Sequence, residues 1–115
     1  MMKLIPIFIL VLAVSLSSSC SKEKVSSFNN PNCSDSISYS TQIKPMMDNY
    51  CIGCHGAGNN TGYIITSHSN TSSNAINILN ALHGQPQLMP QNGPALHDSL
   101  IQQFNCWINQ GKLNN

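Results

Sequence analysis

The sequence predicts an all-α domain in its carboxyl-terminal three quarters. Three segments repeat apolar residues at helical spacing, and none shows convincing period-two alternation. Stretches rich in Gly, Asn and Pro separate the periodic segments and read as loops.

The first helix is carried by Ile43, Met46, Met47, Tyr50 and Cys54, which fall on one helical face. Pro45 confines its start to just before itself, because proline lacks an N–H and is tolerated only in the first turn. Met46 and Met47 are expected to fill the core. Ser72 or Ser73 caps a second helix, with Ala75, Ile78, Leu79 and Leu82 on its inward side and Gly84 as its stop. The third helix runs from about Asp98 to Gln110, with Leu100, Ile101, Phe104, Trp107 and Ile108 inward and Gly111 ending it. Leu96 and Ile101 are spaced to form a hydrophobic staple over its first turn. Gly56 to Thr71 and Gln85 to Pro94 are expected as loops. A core of roughly 75 residues seldom gains a comfortable margin from apolar burial alone, so a covalent staple is needed.

Residues 1–19 read as an export signal, 20–38 as a flexible tether and 39–115 as the folded domain. Lys3 gives a short positive start, Leu4 to Leu16 is an apolar run, and serines lead to Cys20. The run is too short to span a bilayer, where about 20 residues are needed. Two cleavage modes are open. Ser17, Ser18 and Ser19 suit an ordinary signal peptidase, whereas Leu16 to Cys20 resembles the lipobox of bacterial lipoproteins, whose cysteine is acylated. Lipidation at Cys20 is favoured, because the other cut would leave a bare thiol in an oxidising compartment. Several acyl chains on one residue would anchor the protein stably, on the periplasmic side of a membrane.

Cys51-Ile52-Gly53-Cys54-His55 carries the chemistry. Two thiols three positions apart can add to the two vinyl groups of one haem, and the following histidine can then present its imidazole to the iron. The residues between the cysteines must turn tightly, and Gly53 is expected to help. A Cys51–Cys54 disulfide would leave His55 without a role. A thioredoxin-like pair needs a βαβ context that is absent here, and a zinc site needs a second ligand pair. For the sixth ligand, Met89 lies in a loop beyond the second helix, and Pro90 stiffens that loop. Methionine coordination favours reduced iron and raises the potential. His83 is the alternative ligand, with His68 and His97 behind it.

These residues resemble class I cytochromes c. Ser40 to Gly56, with Ile43, Lys44, Pro45 and Cys51 to His55, looks like that family's opening helix and haem site. Met89-Pro90 looks like its distal-ligand motif. Leu96 to Gly111, with Trp107, Ile108 and Gly111, looks like its closing helix. The matches follow the family's order over about two thirds of the chain, and the likeness is greatest to short lipoprotein cytochrome c domains of bacteria, Bacteroidota especially. The resemblance implies a small cytochrome c fold of three to four helices around one covalent haem. It also implies that the first and last helices cross near the haem edge, and that the activity is one-electron transfer rather than enzymatic turnover.

Cys33 and Cys106 remain of the five cysteines. At about 100° per residue, Cys106 falls nearly opposite the apolar stripe of the third helix and should face outward. Cys33 lies just ahead of the fold, where the tether could cross that helix, so a Cys33–Cys106 disulfide is expected; two separate or intermolecular thiols are the alternative.

Composition narrows the partners. The chain has five lysines, no arginine and four acids, so no basic stripe can track phosphates and nucleic acid is set aside. The expected function is an exported one-electron carrier with a single haem c, exchanging electrons with redox proteins of a respiratory or periplasmic chain. The alternative is a haem sensor or small haem enzyme with an open or displaceable distal site.

Overall fold

Helical backbone begins at Tyr39, ahead of Pro45. The computed structural model describes residues 32–115, so the export signal, Cys20 and most of the tether lie outside the described residues. Tyr39–Ile43 forms a π-helical turn whose first residue accepts, through its carbonyl, from the N–H of Lys44, and Ser38 caps it by accepting from Thr41. Helix α1 (Lys44–Tyr50) follows directly, with Pro45 in its first turn. The proline does mark the start of α1, but it does not stop helical backbone from entering earlier. A wide turn carries the path through a residue that cannot donate to its preceding turn. Ile43, Met46 and Met47 are buried. Tyr50, expected inward, is 48% exposed and lines a cleft instead.

Helix α2 (Ile52–His55) is a single turn beginning just after Cys51. Helices α3 (His68–Ser73) and α4 (Ala75–Leu82) come next, broken at Asn74. The expected loop from Gly56 to Thr71 therefore ends in a helix, α3, capped by Ser67, which accepts from Asn70 N–H at 3.2 Å. Ser72 and Ser73, expected to cap α4, are instead the last residues of α3, and α4 starts after Asn74 with no side-chain cap. The polar run of α3 has no apolar period to betray it; only Thr71 is buried, its hydroxyl donating to the Ser67 carbonyl at 2.9 Å. The inward side of α4 is Ala75, Ile78, Leu79 and Leu82. Gly84 follows at φ +84°, a left-handed conformation that favours glycine after a helix.

Helix α5 (Asp98–Asn109) is capped by the His97 ring, which accepts from Ser99 N–H. Leu96 and Ile101 both lie in the core, as a staple requires. Helix α5 packs against α4 and the π-helical turn. At that junction the fully buried Phe104 and Trp107 rings lie 5.6 Å apart, and Tyr39 lies 5.7 Å from Trp107. The Trp107 indole donates to the Leu113 carbonyl at 2.9 Å, so the burial of its N–H is compensated. Among the described residues the fold is all-α, with no strand.

A disulfide joins Cys33 to Cys106 with 5.5 Å between Cα atoms. The chain just after Cys33 lies against α5: the Ile37 N–H donates to Gln110 Oε1 at 2.8 Å, and Gln110 Nε2 donates to the Asp35 carbonyl at 2.7 Å. Ile37 is buried with the core. Cys33, Asp35 and Ile37, expected within the tether, are thus held against the helical domain. Cys106, expected outward, is buried, because this segment and the bridge cover that face of α5.

Candidate functional site

The turn at Cys51 gathers three reactive side chains within one helical repeat. The Cys51 carbonyl accepts from Cys54 N–H at 3.1 Å and from His55 N–H at 2.8 Å, closing the turn. Positions i, i+3 and i+4 share a helical face, and Cys51, Cys54 and His55 all line the same cleft. Gly53, expected to ease the turn, is helical with open space where a Cβ would stand, so nothing steric demands glycine there. Gly56 is the constrained position: a Cβ would come within 2.8 Å of the Ile52 carbonyl oxygen. The chain must lie that close to α2 to leave it immediately after His55.

The cleft holds about 540 Å³, within the range of about 300–1,000 Å³ typical of sites that enclose a small molecule or cofactor. Its second wall comes from α4 and the loop after it. Ile78, Ala81 and Leu82 supply apolar surface, as do Ile65, Pro86, Pro90 and Leu96, and Met89 lines the same space. The Met89 N–H donates to the Ala81 carbonyl at 3.0 Å, which ties the methionine loop back onto α4. Asn77, Asn80, Gln85, Gln87 and Gln91 bring neutral amides to the lining. Among the described residues that line the cleft, none is Lys, Arg, Asp or Glu.

The imidazole of His55 is held through one nitrogen. Its Nδ1 lies 3.0 Å from the Tyr63 carbonyl and 3.1 Å from Thr61 Oγ1. A carbonyl only accepts, so Nδ1 carries the proton and Nε2 keeps its lone pair, the tautomer of a metal-binding histidine with an orienting partner. The other three of the four histidines are placed differently. His68 sits edge-on to Tyr39 and Trp107, with Nε2 donating to the Lys112 carbonyl at 2.8 Å. His97 caps α5, and His83 is exposed at the end of α4 and does not line the cleft.

Cys51 and Cys54 are both unpaired thiols. Burial pushes the Cys51 thiol up to about 11, so at neutral pH it is protonated. A redox or nucleophilic cysteine pair needs the opposite, a thiolate favoured by nearby positive charge. Among the described residues, no group of three or more His, Cys, Asp and Glu side chains could hold a metal ion by itself. A metal here would need donors beyond those residue types, such as a macrocycle and a thioether.

The structure therefore brings Cys51, Cys54, His55 and Met89 onto one cleft and leaves His83 outside it. Sequence reasoning missed Thr61 and Tyr63, whose contacts with His55 run through a hydroxyl and a main-chain carbonyl in a Gly- and Asn-rich loop with no periodic signal. Comparison with protein-family models, curated proteins and solved structures returned no match. The functional reading rests on the residues themselves.

Proposed function

We propose that this domain is a one-electron carrier of the class I cytochrome c kind, holding one haem through thioether bonds from Cys51 and Cys54, with His55 and Met89 as axial ligands. The observation that carries the reading is the shared cleft, which Cys51, Cys54, His55 and Met89 line together, with His55 held through Nδ1 so that Nε2 keeps its lone pair. When bound, the haem would supply an iron that gains or loses one electron without other bonds being made or broken. The residues present fit such a group. One helical turn presents the cysteine pair, the Tyr63 carbonyl fixes the tautomer that leaves Nε2 free, and the thioether is a soft donor suited to iron. Ile65, Ile78, Leu82 and Leu96 would give a bound haem apolar surface to pack against. The sensor or enzyme alternative is less well supported, because the lining offers no arginine or carboxylate to assist bond cleavage on a distal ligand.

The test is the absorption spectrum of the exported, haem-loaded protein in both oxidation states. Methionine ligation should give a weak far-red band in the oxidised form, and Met89→Ala should abolish it and open the iron to added ligands. His83→Ala should leave both features unchanged. If His83→Ala removes ligation while Met89→Ala does not, the axial assignment is wrong.

Export and lipidation at Cys20 belong to the same proposal. Lys44 is already paired with Asp48 at 2.6 Å, so little positive charge remains on the domain to steer a partner by long-range attraction. Confinement to a membrane surface would instead raise the effective concentration of carrier and partner. Electron exchange in membranes should depend weakly on ionic strength and fall sharply for Cys20→Ala. A steep salt dependence with no loss on release would mean that charge, not tethering, brings the partners together.

A further inference from the structure

The loop between Gly56 and Ile65 converges on the His55 ring. Gly58 at φ +90° and Gly62 at φ +80° let the backbone reverse on either side of Thr61. Ile65 is buried, and its N–H donates to the His55 carbonyl at 2.9 Å, which fixes the far end of the loop beside the histidine. Between these points Thr61 Oγ1, the Tyr63 carbonyl oxygen and His55 Nδ1 form a closed triangle with edges of 3.1, 3.0 and 3.1 Å. The geometry points to Thr61 as a positioning residue for His55, its hydroxyl reinforcing the tautomer that the Tyr63 carbonyl favours and holding the orientation of the ring; as an account of an axial ligand, this rests on the haem reading above.

Proton counting decides the role. With the proton on Nδ1, the ring can donate to both Tyr63 O and Thr61 Oγ1, and the hydroxyl can donate its own proton to Tyr63 O. Every short contact then joins a donor to an acceptor. With the proton on Nε2, the hydroxyl must choose between Nδ1 and the carbonyl, and the Nδ1 and carbonyl lone pairs face each other. The first arrangement leaves Nε2 as the metal-binding nitrogen, so the triangle selects the tautomer an axial ligand needs. Thr61 and Tyr63 are both exposed, so a lone Nδ1–H···O=C bond here would compete with water. The hydroxyl takes the place a water molecule would otherwise occupy, and being covalently held it does not exchange.

The experiment follows the Nδ1 proton of His55 by NMR in the full-length, reduced, haem-loaded protein, together with the midpoint potential. Thr61→Val deletes the hydroxyl at nearly constant shape, and exchange of that proton with solvent should quicken by about tenfold, the equivalent of one ordinary hydrogen bond. The midpoint potential should move with it. Thr61→Ser keeps the hydroxyl and should restore both values, which loss of methyl packing could not explain. If the valine disturbs the loop, Thr61→Ala deletes the same group without a branched side chain. Exchange within about twofold of the parent in both hydroxyl-free variants, or a serine variant that behaves like them, overturns the role. Should the chain carry no covalent haem at all, the carrier reading falls. The Thr61 role then stands or falls on the ring-nitrogen shifts of the haem-free chain, where the parent should show one tautomer and Thr61→Val a mixture.

Discussion

Denatured protein carrying Cys51→Ser and Cys54→Ser together should retain no haem, whereas the parent should keep its full complement through denaturation. The expected loss is complete, because a hydroxyl does not add to a vinyl group under conditions in which a thiol does. Each single variant should keep one thioether and so remain stained on a denaturing gel. Two structural facts make the test clean. The bridge between Cys33 and Cys106 already accounts for the other described cysteines, so among the described residues no spare thiol stands ready to substitute. The raised Cys51 thiol is not a reactive thiolate, so its loss should not be mistaken for the loss of a thiol-exchange activity. A double variant that still holds haem covalently would show that the attachment lies elsewhere and would remove the foundation of the carrier proposal.

The parts of this molecule legible in its sequence are those where one physical rule acts alone. Helices α4 and α5 follow from apolar residues at helical spacing, and their ends follow from Gly84 and Gly111, both at positive φ. The cysteine turn is legible because one helical repeat must place i, i+3 and i+4 together. Where two rules compete, the pattern misleads. Tyr50 and Cys54 continue the apolar face of the first helix, yet they meet a cleft rather than the core, and periodicity cannot tell one apolar surface from the other. Helix α3 is held by the Ser67 cap and side-chain bonds to the backbone, which leave no hydrophobic trace. Cys106 sits on the polar side of α5, and its burial depends on a segment some seventy positions away in the chain; the separation is 73. The Thr61 triangle was the least legible, since a threonine in a Gly-rich loop carries no signal until the fold brings its hydroxyl to a particular nitrogen.

Removing the Cys33–Cys106 bridge should markedly lower the melting temperature of the haem-loaded protein. The bridge closes a loop with a sequence separation of 73, and the chain-entropy model assigns a loop of that size about 4 kcal/mol. Total stabilities of small domains are only about 5–15 kcal/mol, so the loss is a large share. At roughly 4–8 °C per kcal/mol for a domain of this size, the paired substitution Cys33→Ala, Cys106→Ala should melt roughly 15–30 °C lower. Reduction of the parent protein should reproduce most of that change, because it breaks the same constraint while keeping every side chain. Packing can be separated from connectivity with Ile37→Ala, which keeps the bridge but empties a buried site on the same segment. Its expected cost is about 2–5 kcal/mol. If the bridge-free variant melts within a few degrees of the parent while Ile37→Ala does not, docking of the segment on α5, rather than covalent closure, is what holds this end of the fold. Recovery of Cys33 and Cys106 in one linked peptide without reduction checks the bridge directly, and quantitative alkylation of both in the unreduced, unfolded protein would exclude it.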